Sequence, residues 1–154
     1  MGVTLTYQPA QDVPAGTMFT ILEEAASIAE SRKWWCEPLY FLPGGLEGAT
    51  KIFLPGYSTN DGRYVEVSIE DDSLMAAFDS SFILETLQDW AAKHGLEWII
   101  GIDGDEVGAV TAEGPDPMLL GMVAAVATNG ESDEMPEFDQ ARIAEIQDKY
   151  GDRF

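Results

Sequence analysis

Positive charge is what this chain has least of. Eight lysines and arginines face 28 aspartates and glutamates in 154 residues, a formal net charge of -20. The deficit is uneven: residues 1–69 hold eight acids and four bases, and residues 70–154 hold twenty acids and four bases, so the two parts carry -4 and -16. A field of that sign repels nucleic acid and anionic membranes, which are therefore not expected as partners, and attracts basic protein surfaces. Cysteine is nearly absent as well, and the single Cys36 cannot close an internal disulfide. Histidine occurs once, at position 94, so any imidazole chemistry has to be built around that residue. No apolar run approaches the roughly 18–20 residues that span a bilayer. The opening segment MGVTLTYQPAQDVP has neither a basic region nor an apolar stretch of the secretory kind. Without an export signal or a disulfide framework, the cytoplasm is the expected location.

The chain does have the means to fold. Hydrophobic residues make up 45% of it, and four tryptophans, five tyrosines and seven phenylalanines supply bulk for one core; disorder pairs high charge with few aromatics, which is not the case here. Val3, Leu5 and Tyr7 alternate with threonines, as a half-buried strand near 3–8 would. Met18, Ile21, Leu22, Ala25, Ile28 and Ala29 then recur at helical spacing, predicting a helix over 17–33 with Arg32 and Lys33 in its last turn. Between Trp34 and Gly62, glycine and proline punctuate an aromatic segment in which 39–42 and 51–54 read as short strands. Alternation at Val65, Val67 and Ile69 predicts a strand over 64–70. Asp71-Asp72-Ser73 reads as a turn, followed by a strand over 74–78, although the Met75-Ala76-Ala77 propensity favours helix. A helix over 81–94 ends at Gly95. Residues 96–102 and 107–112 read as a hairpin about Asp103-Gly104-Asp105-Glu106. Asp116 and Pro117 look like the cap and first position of a buried apolar helix to Thr128, and an acidic linker leads to a last helix ending near Tyr150. The expected fold is α+β, a largely antiparallel sheet with amphipathic helices packed on it. Residues 1–130 form the domain, and 131–154 form an acidic linker and a C-terminal helix docked on it.

Candidate chemistry is thin. His94 beside Lys93 and Gly95 has the context of a helix end, where a cation suits the dipole. Cys36 with His94 and a carboxylate would make a thiol nucleophile set, but Trp34-Trp35-Cys36-Glu37 matches no such signature, and a small buried hydrophobe is the expected role. Asp103, Asp105 and Gly108 imitate a calcium loop that fails at Val107 and Gly114, where oxygen ligands belong. Pro43-Gly44-Gly45-Leu46-Glu47-Gly48 lacks the lysine of a phosphate loop. No cofactor or metal site is expected.

Three readings follow. The first is a non-enzymatic interaction module that covers a basic partner surface, the compositional profile of immunity proteins and of nucleic-acid mimics, though no family motif is legible. Its expected contacts are Asp103, Asp105 and Glu106 at the hairpin tip and Glu131, Asp133 and Glu134 in the linker, with Trp34, Trp35 and Tyr57 as aromatic anchors. The second is a small-ligand binder or enzyme with a pocket in segment 34–62. The third is an unrelated function whose acidic surface serves solubility or salt adaptation.

Overall fold

A computed structural model describes residues 3–41, 51–52, 56–60, 68–128 and 137–150. In chain order the elements are β1 (Val3–Pro9), β2 (Val13–Pro14), α1 (Ala15–Glu30), β3 (Lys51–Ile52), β4 (Gly56–Asn60), α2 (Ile69–His94), β5 (Trp98–Ile102), β6 (Asp105–Thr111), β7 (Gly114–Pro115), α3 (Pro117–Ala127) and α4 (Gln140–Lys149). The main sheet has the order β4-β1-β5-β6-β7, with every neighbour antiparallel. β2 and β3 form a separate two-stranded ribbon. The fold is α+β. Among the described residues no helix is long and apolar enough to cross a membrane.

Alternation in β1 sets the layers. Leu5, Tyr7 and Pro9 are buried while Thr4, Thr6 and Gln8 are half-buried. In register, Leu5 faces Ile102, Tyr7 faces Ile100 and Pro9 faces Trp98, so one face of the sheet carries the apolar set. Met18, Ile21 and Ala25 of α1, Ile83, Leu84, Leu87 and Trp90 of α2, and Leu119 and Val123 of α3 join the same cluster. A second, smaller cluster holds Trp35, Cys36 and Met75 with Ile143 and Ile146 of α4.

The largest departure from the sequence expectation is at the start of α2. Ile69 and Glu70, assigned to a strand over 64–70, open this 26-residue helix, and the expected turn at 71–73 and strand over 74–78 lie inside it; residues 61–67 are outside the described residues. The physical reason is the cap. The Ser68 hydroxyl accepts from the Asp71 amide at 3.2 Å, and Glu70, Asp71 and Asp72 occupy the first turn, where carboxylates suit the positive end of the dipole. Once nucleated there, the helix runs through the Met-Ala-Ala stretch, whose propensity is helical, to Gly95 in the left-handed conformation.

Smaller departures have local causes. α1 stops at Glu30, with the Ser31 hydroxyl donating to the Ile28 carbonyl at 2.8 Å. Arg32 and Lys33 therefore fall beyond the helix and not in its last turn. Of the strand expected over 39–42, Phe41 makes only an isolated bridge and Leu39 and Tyr40 are irregular; Leu42 is outside the described residues. Of the strand expected over 51–54, Lys51 and Ile52 pair with Pro14 and Val13, and residues 53–54 lie outside the described residues. β4, read from sequence as turns, pairs with β1 from Asn60 opposite Val3 to Gly56 opposite Tyr7.

Candidate functional site

Two places collect charged side chains, and their chemistry is opposite. The first is interior. Asp79, 1% exposed, points from α2 at the chain leaving α1. Its Oδ2 accepts from the amides of Trp35 and Cys36 at 2.7 and 2.8 Å, and its Oδ1 accepts from the Arg32 guanidinium at 3.0 Å. That guanidinium lies over the rings of Phe82, Trp34 and Phe78, with 4.1, 4.7 and 5.0 Å to the centroids. Burial pushes the Asp79 carboxyl up to about 6, against the amides and Arg32, which act to lower it. Burial also lowers Arg32, opposed by the Asp79 charge. One helix over, Arg142 of α4 bonds buried Asp71 and reaches Glu145 at 3.1 Å. These contacts fasten the α1–α2 connection and α4 to α2.

Trp34 and Trp35, expected as surface anchors, belong to this interior. Trp34 packs edge-on to Phe82 and Trp35 to Tyr150, and both side chains are buried, so neither is available to a partner. The backbone of Tyr57 pairs with Thr6; its side chain lies outside the described residues. The same holds for much of segment 34–62. Of its described aromatics, Trp34, Trp35 and Phe41 fill the two apolar clusters, and Tyr40 is half-buried, with its backbone bonded to the Tyr7 hydroxyl.

Geometry separates the cysteine from the histidine. Cys36 is buried and in no disulfide, and both its amide and its side chain are hydrogen-bonded to Asp79. Fifteen residues of α2 part Asp79 from His94, about 22 Å along a helix. A thiol–imidazole pair of Cys36 and His94 is excluded on that distance. His94 is the last residue of α2, with its Nε2 buried and without a hydrogen-bond partner among the described residues. Among the described residues no group of three or more His, Cys, Asp and Glu converges as metal ligands would.

The second place is the surface made by the β5–β6 hairpin and α3. Asp103 and Gly104 have φ of 51° and 91°, the pair of positive values that a two-residue turn of this kind requires. Within the expected contact triad the structure makes a division. The Asp103 carboxylate accepts from the Thr4 amide at 2.9 Å and its own amide donates to the Thr4 carbonyl at 2.9 Å, so Asp103 ties the tip to β1. Asp105 and Glu106 are exposed, and no ion pair joins them to a described residue. Glu131, Asp133 and Glu134 are outside the described residues.

Asp116 stands at the N-cap position of α3, but its side chain does not cap the helix. Oδ2 instead accepts from the Ala109 amide at 2.9 Å, and the Asp116 amide donates to the Ala109 carbonyl at 2.9 Å. A Cβ at Gly108 would lie 3.2 Å from Asp116 Oδ2 and 3.5 Å from Leu119 Cβ, so the strand has to present a bare backbone for α3 to sit against it. Contrary to expectation, α3 is not buried all round. Leu119, Val123 and Ala124 are buried, but Met118 is 67%, Leu120 38% and Val126 38% exposed. This composition predicts burial on all sides, yet among the described residues the helix is seated mainly against α2 and β6.

An open depression of about 540 Å³ lies where Gln11, the end of α2 and the β6–β7 turn meet, with Glu97 and Glu113 as its acids. It offers no nucleophile and no imidazole. Neither a family model, nor a curated protein, nor a solved structure matches the chain.

Proposed function

We propose that this protein is a non-enzymatic interaction module that covers a basic protein surface, in the manner of an inhibitor or immunity protein, with the carboxylates of its second half. One observation carries the reading: most of the described cations are held in ion pairs within the chain, while the exposed acids of the β5–β6 hairpin have none among the described residues. Of the five lysines and arginines with described side chains, Arg32, Lys93 and Arg142 are held in ion pairs. From residue 94 to 141 there are eleven acids and no lysine or arginine. Exposed Asp105 and Glu106 stand in that stretch. Fields of this kind act over about 8–10 Å at ordinary salt and chiefly raise association rates.

The test is affinity capture from the native lysate with the whole protein and with the Asp105→Asn/Glu106→Gln variant, at low and high salt. A partner with a basic contact surface should be retained by the whole protein at low salt. Both the variant and high salt should reduce its association rate more than they change its dissociation. A partner neutral or acidic at its contact surface, or one bound equally by the variant across the salt series, overturns the proposal.

A further inference from the structure

Electrostatic steering brings partners together but seldom holds them, and stable interfaces need a desolvated apolar centre inside a polar rim. α3 has the composition of such a centre. Its eleven residues, PMLLGMVAAVA, contain no polar side chain, so whatever part of the helix α2 and β6 leave uncovered is apolar. At 100° per residue, Met118, Met122 and Ala125 form a stripe on the side away from Leu119, Val123 and Ala127, which face the core. Met118 is two-thirds exposed and stands two residues after the exposed Asp116, about 3 Å further along the helix axis. Val126, 38% exposed, borders the stripe near the far end, and Leu120 is exposed on the other side of the helix. The rim is acidic. Glu113 in the β6–β7 turn and Asp116 stand at the start of α3, and Glu106 is two residues, about 7 Å along the strand, from the Gly108 against which Asp116 and Leu119 pack. No lysine or arginine occurs in the sequence of the hairpin, β7 or α3 to neutralise that rim.

Charge complementarity selects the occupant. A second copy would bring another formal charge of -20 against the same sign, and an anionic bilayer would be repelled for the same reason. We infer that the exposed stripe of α3 centred on Met118 is the apolar core of a protein-docking surface whose partner presents apolar side chains bordered by lysine or arginine. This rests on the proposed function and deepens it by naming the surface and the chemistry of what seats on it. The carboxylates steer, and the α3 stripe holds.

The experiment uses the full chain with its methionine methyl groups observed by NMR, Met18 and Met75 serving as references because both are fully buried. Three probes are titrated: an amphipathic helical peptide of leucine and lysine, its counterpart with glutamate for lysine, and polylysine. The Leu/Lys peptide should shift the Met118 and Met122 signals saturably and leave Met18 and Met75 unmoved. Exposed Met118→Gln, which keeps length and removes apolarity, should weaken that peptide by about tenfold, the order expected for losing a desolvated methionine contact. Asp105→Asn/Glu106→Gln should lower its association rate and flatten the salt dependence. The inference is overturned by equal binding of the Leu/Glu peptide, by an unmoved Met118 signal, by unchanged affinity in Met118→Gln, or by Met118 shifts that follow protein concentration alone, which would make a second copy the occupant. Polylysine separates the two readings. If it binds in a manner sensitive to Asp105 and Glu106 while Met118→Gln has no effect on the Leu/Lys peptide, the acidic reading survives and the docking surface fails. If no cationic probe binds, the proposed function fails with it.

Discussion

Arg32 and Arg142 each meet a carboxylate withdrawn from water, Asp79 and Asp71, whereas the hairpin and α3 expose Asp105, Glu106, Glu113 and Asp116 with no cation among them. Both regions are acidic, and they differ in who supplies the counter-charge. On the α1–α2–α4 side the protein supplies it, and the acids become fasteners that fix where chain segments lie. On the hairpin side nothing in the described fold supplies it: Asp105, Glu106 and Glu113 contribute field without an ion pair to a described residue, and Asp116 meets only the Ala109 amide. The same residue type is thus structural in one half and available in the other, so a count of acids says little until each is traced to its partner.

Removing acids from the two sides should sharpen this contrast, and the largest effect belongs to the interior. Asp79→Ala strands the Arg32 guanidinium and two amides, and urea unfolding should show a loss of about 3–5 kcal/mol. A loss below about 1 kcal/mol would remove Asp79 from the fasteners. Titration of the same group comes next. Its folded carboxyl stands at about 6 against an ordinary value of 3.8, so its contribution to stability is full below 3.8 and declines as pH rises through about 6, by about 3 kcal/mol in all. Acidifying from pH 7 to 5 should therefore stabilise the protein, and the difference between wild type and Asp79→Asn should change over that window. Relief of surface repulsion has the same sign but is common to both proteins and drops out of the difference.

Single changes on the hairpin should do less. Asp103→Ala removes the acceptor for the Thr4 amide from a residue at positive φ, at a cost of about 1–2 kcal/mol, whereas Asp103→Asn, which keeps an acceptor and tolerates that backbone, should cost a few tenths. Thermal unfolding of the pair would show whether Asp103 belongs with the fasteners. Smallest of all, Asp105→Asn/Glu106→Gln should leave stability within about 0.5 kcal/mol or raise it slightly, because it removes repulsion and no contact. A clear destabilisation in denaturant would mean that these carboxylates hold the tip together and are not free for a partner.

What the sequence made legible follows from how local each signal is. The alternation in β1, the Asp-Gly turn between β5 and β6 and the Gly95 stop are set by neighbours within a few residues, and they stand where their spacing puts them. α2 was misread because two local signals conflicted: period-2 alternation ran into Ile69, while Ser68 and Asp71, three apart, formed a cap that starts the helix. Asp116 and Asp103 looked like a cap and a free tip, and each instead satisfies a backbone amide on another strand. Nothing in a one-dimensional pattern encodes which amide lies opposite. The Asp79–Arg32 contact spans 47 residues, and its only trace in sequence is an acid within an otherwise apolar helix stretch. Trp34 and Trp35 read as anchors from composition, but the two amides that Asp79 and its neighbours draw inward carry those rings into the core.

The central position of β1 also bears on how the protein comes into being. Leu5 pairs with Ile102 and Tyr7 with Ile100, so β1 waits for a strand made nearly a hundred residues later. At about 5–20 residues per second that interval is roughly 5–20 s, long compared with the roughly 0.1–10 μs in which local helices and hairpins form. During it, the β5-side edge of β1 is open to any nascent strand nearby, since only β4 is made in time to cover the other edge. Folding of the main sheet is thereby tied to completion of the β5–β6 hairpin, and a chain stalled before residue 98 would carry β1 without its central neighbour, ready for a chaperone or a protease.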